Sequence, residues 1–130
     1  MLELNIISST DMEKRVVRLQ FTGKLNYETS LTAREQLHGI IEKLENDVNC
    51  VLDVSGLSRI DSTGFGVLIY FVRQAALRNS RSAVVVADPF IADLFHIAKF
   101  NQIMPITGSE AEALKSLESG QAFPLAPEQY

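Results

Sequence analysis

The stretch Cys50-Val51-Leu52-Asp53-Val54-Ser55-Gly56-Leu57-Ser58-Arg59-Ile60-Asp61-Ser62-Thr63-Gly64-Phe65-Gly66 decides how this chain folds. Its first five residues are mostly apolar and of strand length. Asp61 and Ser62 are favoured helix caps, and a helix reads from Ser62 to about Leu77, where Asn79-Ser80 breaks it. In sheets that alternate with helices, partners meet the carboxyl ends of the strands. The 53–66 segment reads as the connection leaving such an end. Ser55-Gly56 and Gly64 permit tight backbone turns, and Gly66 costs a helix interior about 1 kcal/mol relative to alanine. Capping accounts for Asp61 and Ser62 but not for Gly64 and Gly66 together. Bare first turns suit close approach by another molecule. A phosphate on Ser62 would add about −1.5 to −2 charges there, so the hydroxyl is a candidate switch.

Outward from this stretch the pattern alternates. Residues 2–6 have period two and read as an edge strand; residues 16–21 follow as a second strand, ended by Gly23, and the two are expected to pair as a hairpin. Ala33, Leu37, Ile40, Ile41 and Leu44 form the stripe of an amphipathic helix within 28–46. Ala83-Val84-Val85-Val86-Ala87 is a continuous apolar run, as in a strand covered on both faces. Asp88-Pro89 caps a third helix with Ile91, Leu94, Phe95 and Ala98 in its stripe. Residues 103–106 make a short strand, demoted towards an edge by Pro105. Ser109 and Glu112 form a capping box before Ala113, Leu114 and Leu117. The expectation is an α/β fold: a mixed, mostly parallel sheet with an N-terminal β-hairpin and about four helices. One face is expected to be less completely covered, because the last two helices are short.

Composition narrows the function. At 130 residues the chain reads as one domain. No apolar run approaches the roughly 20 residues that cross a bilayer, and Met1-Leu2-Glu3-Leu4-Asn5 lacks the basic start of a signal peptide. The cytoplasm is the expected compartment. A net charge of −4 with scattered Lys and Arg argues against direct nucleic-acid binding. Arg73, Arg78 and Arg81 read as a solvated helix end. Cys50 is the only cysteine, so no intrachain disulfide or cysteine metal site can form; it reads as a small buried hydrophobe. His38 and His96 lie on amphipathic helices without metal-ligand spacing, and no cofactor or metal is expected.

Asp61-Ser62-Thr63-Gly64-Phe65-Gly66, preceded by Asp53-Val54-Ser55-Gly56-Leu57, resembles the signature of the STAS domain, in particular the stand-alone anti-sigma factor antagonists of bacteria. The resemblance runs from Val16 to Leu117 and places a STAS domain over 1–119; the residues after Gly120, with two prolines and no periodicity, read as a flexible tail over 120–130. It implies that Ser62 is phosphorylated by an anti-sigma factor that is itself a serine kinase. The unphosphorylated protein would bind that partner and free the sigma factor, and a serine phosphatase would reset it. The partner surface implied is Asn26, Asp61, Ser62, Thr63, Gly64, Phe65 and Gly66. Gly23-Lys24-Leu25-Asn26 departs from the family's frequent Gly-Glu-Leu-Asp. Asn26 is expected to cap the first helix as well as aspartate does, while the replaced charges bear on which partner is recognised.

Rival readings are a non-switching STAS subunit of a stressosome-like or lipid-transport complex and, more remotely, a small enzyme using Asp53 and Ser62. A phospho-accepting receiver would need paired carboxylates after its first strand and a lysine after its last, and neither is present. No Gly-x-Ser-x-Gly elbow or Walker sequence occurs.

Overall fold

The computed structural model describes residues 3–118; the tail expected over 120–130 lies outside them. The order is β1 (Leu4–Asp11), β2 (Val16–Leu25), α1 (Ser30–Lys43), β3 (Asn49–Ile60), α2 (Ser62–Ala76), β4 (Ser82–Val85), α3 (Pro89–Ile97), a 3-10 turn (Phe100–Gln102), β5 (Ile106–Thr107) and α4 (Glu110–Glu118). The five strands lie in sequence order across one sheet. β1 pairs antiparallel with β2, and every other pairing is parallel. The mixed sheet with its N-terminal hairpin is as the residue pattern predicts.

Alternation along the strands sorts the core into two layers. Leu19, Phe21, Cys50, Leu52, Val54 and Val84 face α1, α2 and α3 in the larger cluster. Val16, Val51, Ala83 and Val85 face α4, which returns only Ala113, Leu117 and the partly buried Leu114. Arg18 leaves β2 on that thin side and pairs with Glu110 of α4 at 2.5 Å. Cys50 is fully buried, with its sulfur 3.4 Å from the Ser80 hydroxyl. Burial pushes its thiol up to about 11, the Ser80 hydrogen bond pulling weakly the other way.

Several elements differ from the sequence reading: β2 is not ended by Gly23 but runs on to Leu25, and β4 stops at Val85 rather than Ala87. β1 extends to Asp11 because β2 offers it eight consecutive partners, from Gly23 back to Val16. β5 is only two residues, since the 3-10 turn takes up the chain just before Pro105. Most consequentially, β3 does not stop near Val54. It continues to Ile60 beside β2, while β4 reaches only as far as Asp53. Ser55, Gly56 and Ser58 therefore belong to a narrower ribbon of β1, β2 and β3 rather than a loop. Register shifts between Gln20 and Thr22 and between Gly23 and Lys24 absorb the extra residues and bend the ribbon. Leu57 and Ile60 keep its inner side buried. The ribbon carries the start of α2 beyond the main sheet.

Candidate functional site

The site forms where β2 and β3 end side by side and α1 and α2 begin. Asp61 is extended (φ −121°, ψ −175°) and caps α2. Its Oδ1 accepts the Gly64 N–H at 2.9 Å and its Oδ2 accepts the Tyr27 N–H at 3.1 Å. One carboxylate thus ties both loops together. Its own N–H donates to the Leu25 carbonyl at 3.4 Å.

Asn26 does not cap α1 directly, contrary to expectation; the N-cap is Thr29. Asn26 Oδ1 accepts the Thr29 N–H at 3.2 Å, and Thr29 Oγ1 accepts the Asn26 N–H at 3.1 Å while donating to the Lys24 carbonyl at 2.8 Å. Asn26 therefore closes the turn before the helix. A short polar side chain does this without a charge, which is why asparagine serves here.

Ser62 is the first residue of α2 and is exposed. Among the described residues no group hydrogen-bonds its hydroxyl. The Gly64 N–H is taken by the Asp61 carboxylate and the Phe65 N–H by the Asp61 carbonyl, whereas those of Ser62 and Thr63 have no acceptor among the described residues. The first turn of α2 carries no acidic side chain. These orphan donors and the helix dipole favour an anion at this position.

The remaining residues divide. Gly66 is exposed, with nothing within 4 Å of where a Cβ would stand, and Thr63 is half-buried. Gly64, expected to present bare surface, is buried: a Cβ there would collide with the Leu25 carbonyl and stand 3.1 Å from the Ile60 side chain. Its missing side chain lets α2 seat against the end of β2. Phe65 is likewise turned to packing. Its ring meets Phe95 edge-on at 5.0 Å and Phe100 at 5.1 Å, pinning the first turn of α2 to α3.

Beside Asp61 lies a cleft of about 340 Å³ with Asn26 and Ser58 on one side and Phe90, Ile91 and Leu94 on the other. Tyr27, which donates to Asp61, is 76% exposed. Neither Tyr27 nor Phe90 is singled out by motif or spacing. The available signal is that Phe90 is an aromatic residue lying off the buried stripe of its helix.

Asp53 and Ser62 are not brought together. Asp53 alternates with Leu52 and Val54, which face α1–α3, so its carboxylate leaves the sheet on the α4 side and accepts the Ser55 N–H at 2.9 Å. His38 sits on α1 against the Tyr70 hydroxyl (3.2 Å) and Glu42 (3.4 Å). No described helix is long and apolar enough to cross a membrane.

Comparison with known proteins bears on the family and the fold. The model of the STAS domain family matches residues 9–113. The chain is 26% identical over 115 residues to an anti-sigma F factor antagonist of Paenibacillus polymyxa, covering 88% of this chain and 97% of that one. The fold is similar to the crystal structure of an anti-sigma factor antagonist from Mycobacterium paratuberculosis, with a TM-score of 0.77 at 14% identity, covering 88% of this chain and 94% of that one. It is similar also to the phosphorylated form of the Bacillus cell-fate determinant SpoIIAA, with a TM-score of 0.61 at 17% identity over 87% and 99% of the two chains.

Proposed function

This chain belongs to the STAS domain family, and from that premise we infer that it is an anti-sigma factor antagonist of a bacterial partner-switching circuit in the cytoplasm. The unphosphorylated protein binds an anti-sigma factor that is a serine kinase, and the sigma factor is released. Phosphate on Ser62 ends that binding, and a serine phosphatase restores it. The role is regulatory rather than catalytic.

One observation carries this reading: the exposed Ser62 hydroxyl, without a partner among the described residues, on the first residue of α2 beside orphan N–H groups. A kinase can reach it without unfolding the domain. The phosphate it adds lies at the favourable end of the helix dipole. The effect must then fall on the interface, where a desolvated charge beside Asp61 and opposite partner carboxylates costs several kcal/mol. Ser62, Thr63 and Gly66 supply contact surface, Asn26 and Asp61 shape it, and Gly64 and Phe65 support it from behind.

The test is phosphate transfer from labelled ATP by the cognate anti-sigma factor kinase. Incorporation into the wild-type chain and into Thr63→Ala, with none into Ser62→Ala, is the expected result. Undiminished labelling of Ser62→Ala would remove Ser62 from the mechanism. Calorimetry on the phosphoprotein should then show binding lost with the melting temperature unchanged; a large drop in melting temperature would mean that phosphorylation disrupts the fold instead.

A further inference from the structure

We propose that α3 is the contact face of a symmetric dimer of this chain, formed by two antiparallel copies of the helix packing through Phe90, Leu94 and Ile97. These residues recur at i, i+4 and i+7, the spacing of one helix face. On α1 the same spacing marks the buried stripe; on α3 it marks an outward one, with Leu94, expected in the inward stripe, shared between the core and this face and Ala98, also expected inward, exposed. Phe90 is 67% and Ile97 76% exposed, with Leu94 half-buried between them. The inward face is separately satisfied by Ile91 and Phe95, both buried. α3 thus has two apolar faces and one core, and contiguous exposed apolar surface of this kind marks interaction sites.

The charges identify the occupant. Asp88 caps the amino end of α3 and Asp93 lies in its middle, both exposed, whereas His96 and Lys99 lie at and just past the carboxyl end, also exposed. Two copies related by a twofold axis near Leu94 place Asp88 of each beside Lys99 of the other, and set Asp93 near its own copy, which holds the affinity down. Phe90 of one copy then lies beside Ile97 of the second, and the two helix dipoles oppose. A parallel arrangement would set like charges together. The chain as a whole carries −4, so two copies repel on average, while the two ends of α3 attract each other's opposite ends. The cleft lined by Phe90 and Leu94 continues the apolar surface towards Asn26 and Asp61.

Nine helical residues span only about 14 Å, so the contact falls short of the roughly 800 Å² per partner of a standard interface. The dimer is accordingly weak and concentration-dependent. It requires no phosphate on Ser62, and it stands or falls apart from the role assigned to that residue.

Sedimentation equilibrium of the full chain from about 10 μM to 1 mM tests it. The weight-average mass should rise with concentration from 14.4 kDa towards twice that value. Ile97→Glu and Phe90→Ser should each weaken association at least tenfold with the thermal melt retained, because both side chains already face solvent. Lys99→Glu should weaken it several-fold, an effect that apolar stickiness alone would not produce. A wild-type chain that stays at monomer mass throughout overturns the proposal and leaves the stripe to a different protein or to residues 119–130. Association that survives Ile97→Glu overturns it as well, by locating the contact elsewhere.

Discussion

The two ends of the parallel sheet are built from the same kinds of residue and put them to different use. At the amino ends of β3 and β4 the polar side chains tie the loops to one another. Asn79 donates to Asp47, the Ser80 hydroxyl to the Val48 carbonyl, Arg78 to the Leu44 carbonyl and Arg15 to the Asn46 carbonyl. Arg15, Asp47 and Asn79 all adopt positive φ to make these turns. At the carboxyl ends Asp61 and Asn26 secure the two loops, but Ser62 keeps its hydroxyl unbonded among the described residues and Tyr27, Gly66 and Phe90 face outward. Polar side chains that all bond across to a neighbouring loop close a surface; a hydroxyl left unmatched beside such ties leaves one open for a partner. The number of polar groups is no guide to function, whereas the number left unmatched is.

Substitutions can break or sharpen this contrast. The largest effect is expected at Gly64→Val, where the new side chain meets the Leu25 carbonyl. Overpacking there should destabilise the fold by about 3 kcal/mol, read as a lower denaturation midpoint; an unchanged midpoint would show that α2 is not seated on β2 as described. Asp61→Ala removes the cap and the Tyr27 tie together. A loss of about 2 kcal/mol is expected, with phosphorylation of Ser62 slowed because its helix end is no longer held.

Ser80→Ala acts at the opposite end. It removes the donor to the Val48 carbonyl and should cost about 1 kcal/mol, with labelling of Ser62 by the kinase unaffected. If labelling falls as far as it does for Asp61→Ala, the two ends are coupled and the contrast fails. The smallest change in stability is expected at Gly66→Ala, which meets nothing within 4 Å. Replacing glycine inside a helix should raise stability by about 0.5 kcal/mol while weakening the anti-sigma partner. A variant both more stable and equally well bound would move the contact off this face of α2.

Legibility in the sequence followed the range of the forces involved. The element order was readable because strand and helix periods are local: Ala33, Leu37 and Ile41 all lie buried on α1 as their spacing implies. Asp88 caps α3 through the Phe90 N–H as its Asp-Pro pair implies. The capping box of α4 is half-formed, with the Glu112 N–H on the Ser109 hydroxyl but the Glu112 carboxylate turned to the Gly108 N–H. What was not readable depended on distant chain. The length of β3 past Val54 is set by the backbone of β2, and Ser55, Gly56 and Ser58 break the alternation that would have announced it. The burial of Gly64 depends on where the Leu25 carbonyl arrives. The motif singles out Ser62 and Asp61, but which neighbouring residues face outward is a property of packing, and so no motif marks the exposed Tyr27 and Phe90 beside them.

Cys50, enclosed in the larger core cluster beside Ser80, makes the domain its own clock. A thiol-specific reagent attacks the thiolate, and a thiol held near 11 in the folded state presents almost none at neutral pH. Labelling must wait for the core to open, so its rate times the opening of the sheet in the unmodified chain. The same burial ties stability to alkali. Because the folded thiol titrates above the ordinary thiol range, its contribution is fully present below pH 8 to 9 and is lost as the pH climbs towards 11. Labelling that accelerates over that interval, and slackens in Cys50→Ser to nothing, would let partner binding or phosphorylation be followed as a change in how often the centre of the sheet is exposed.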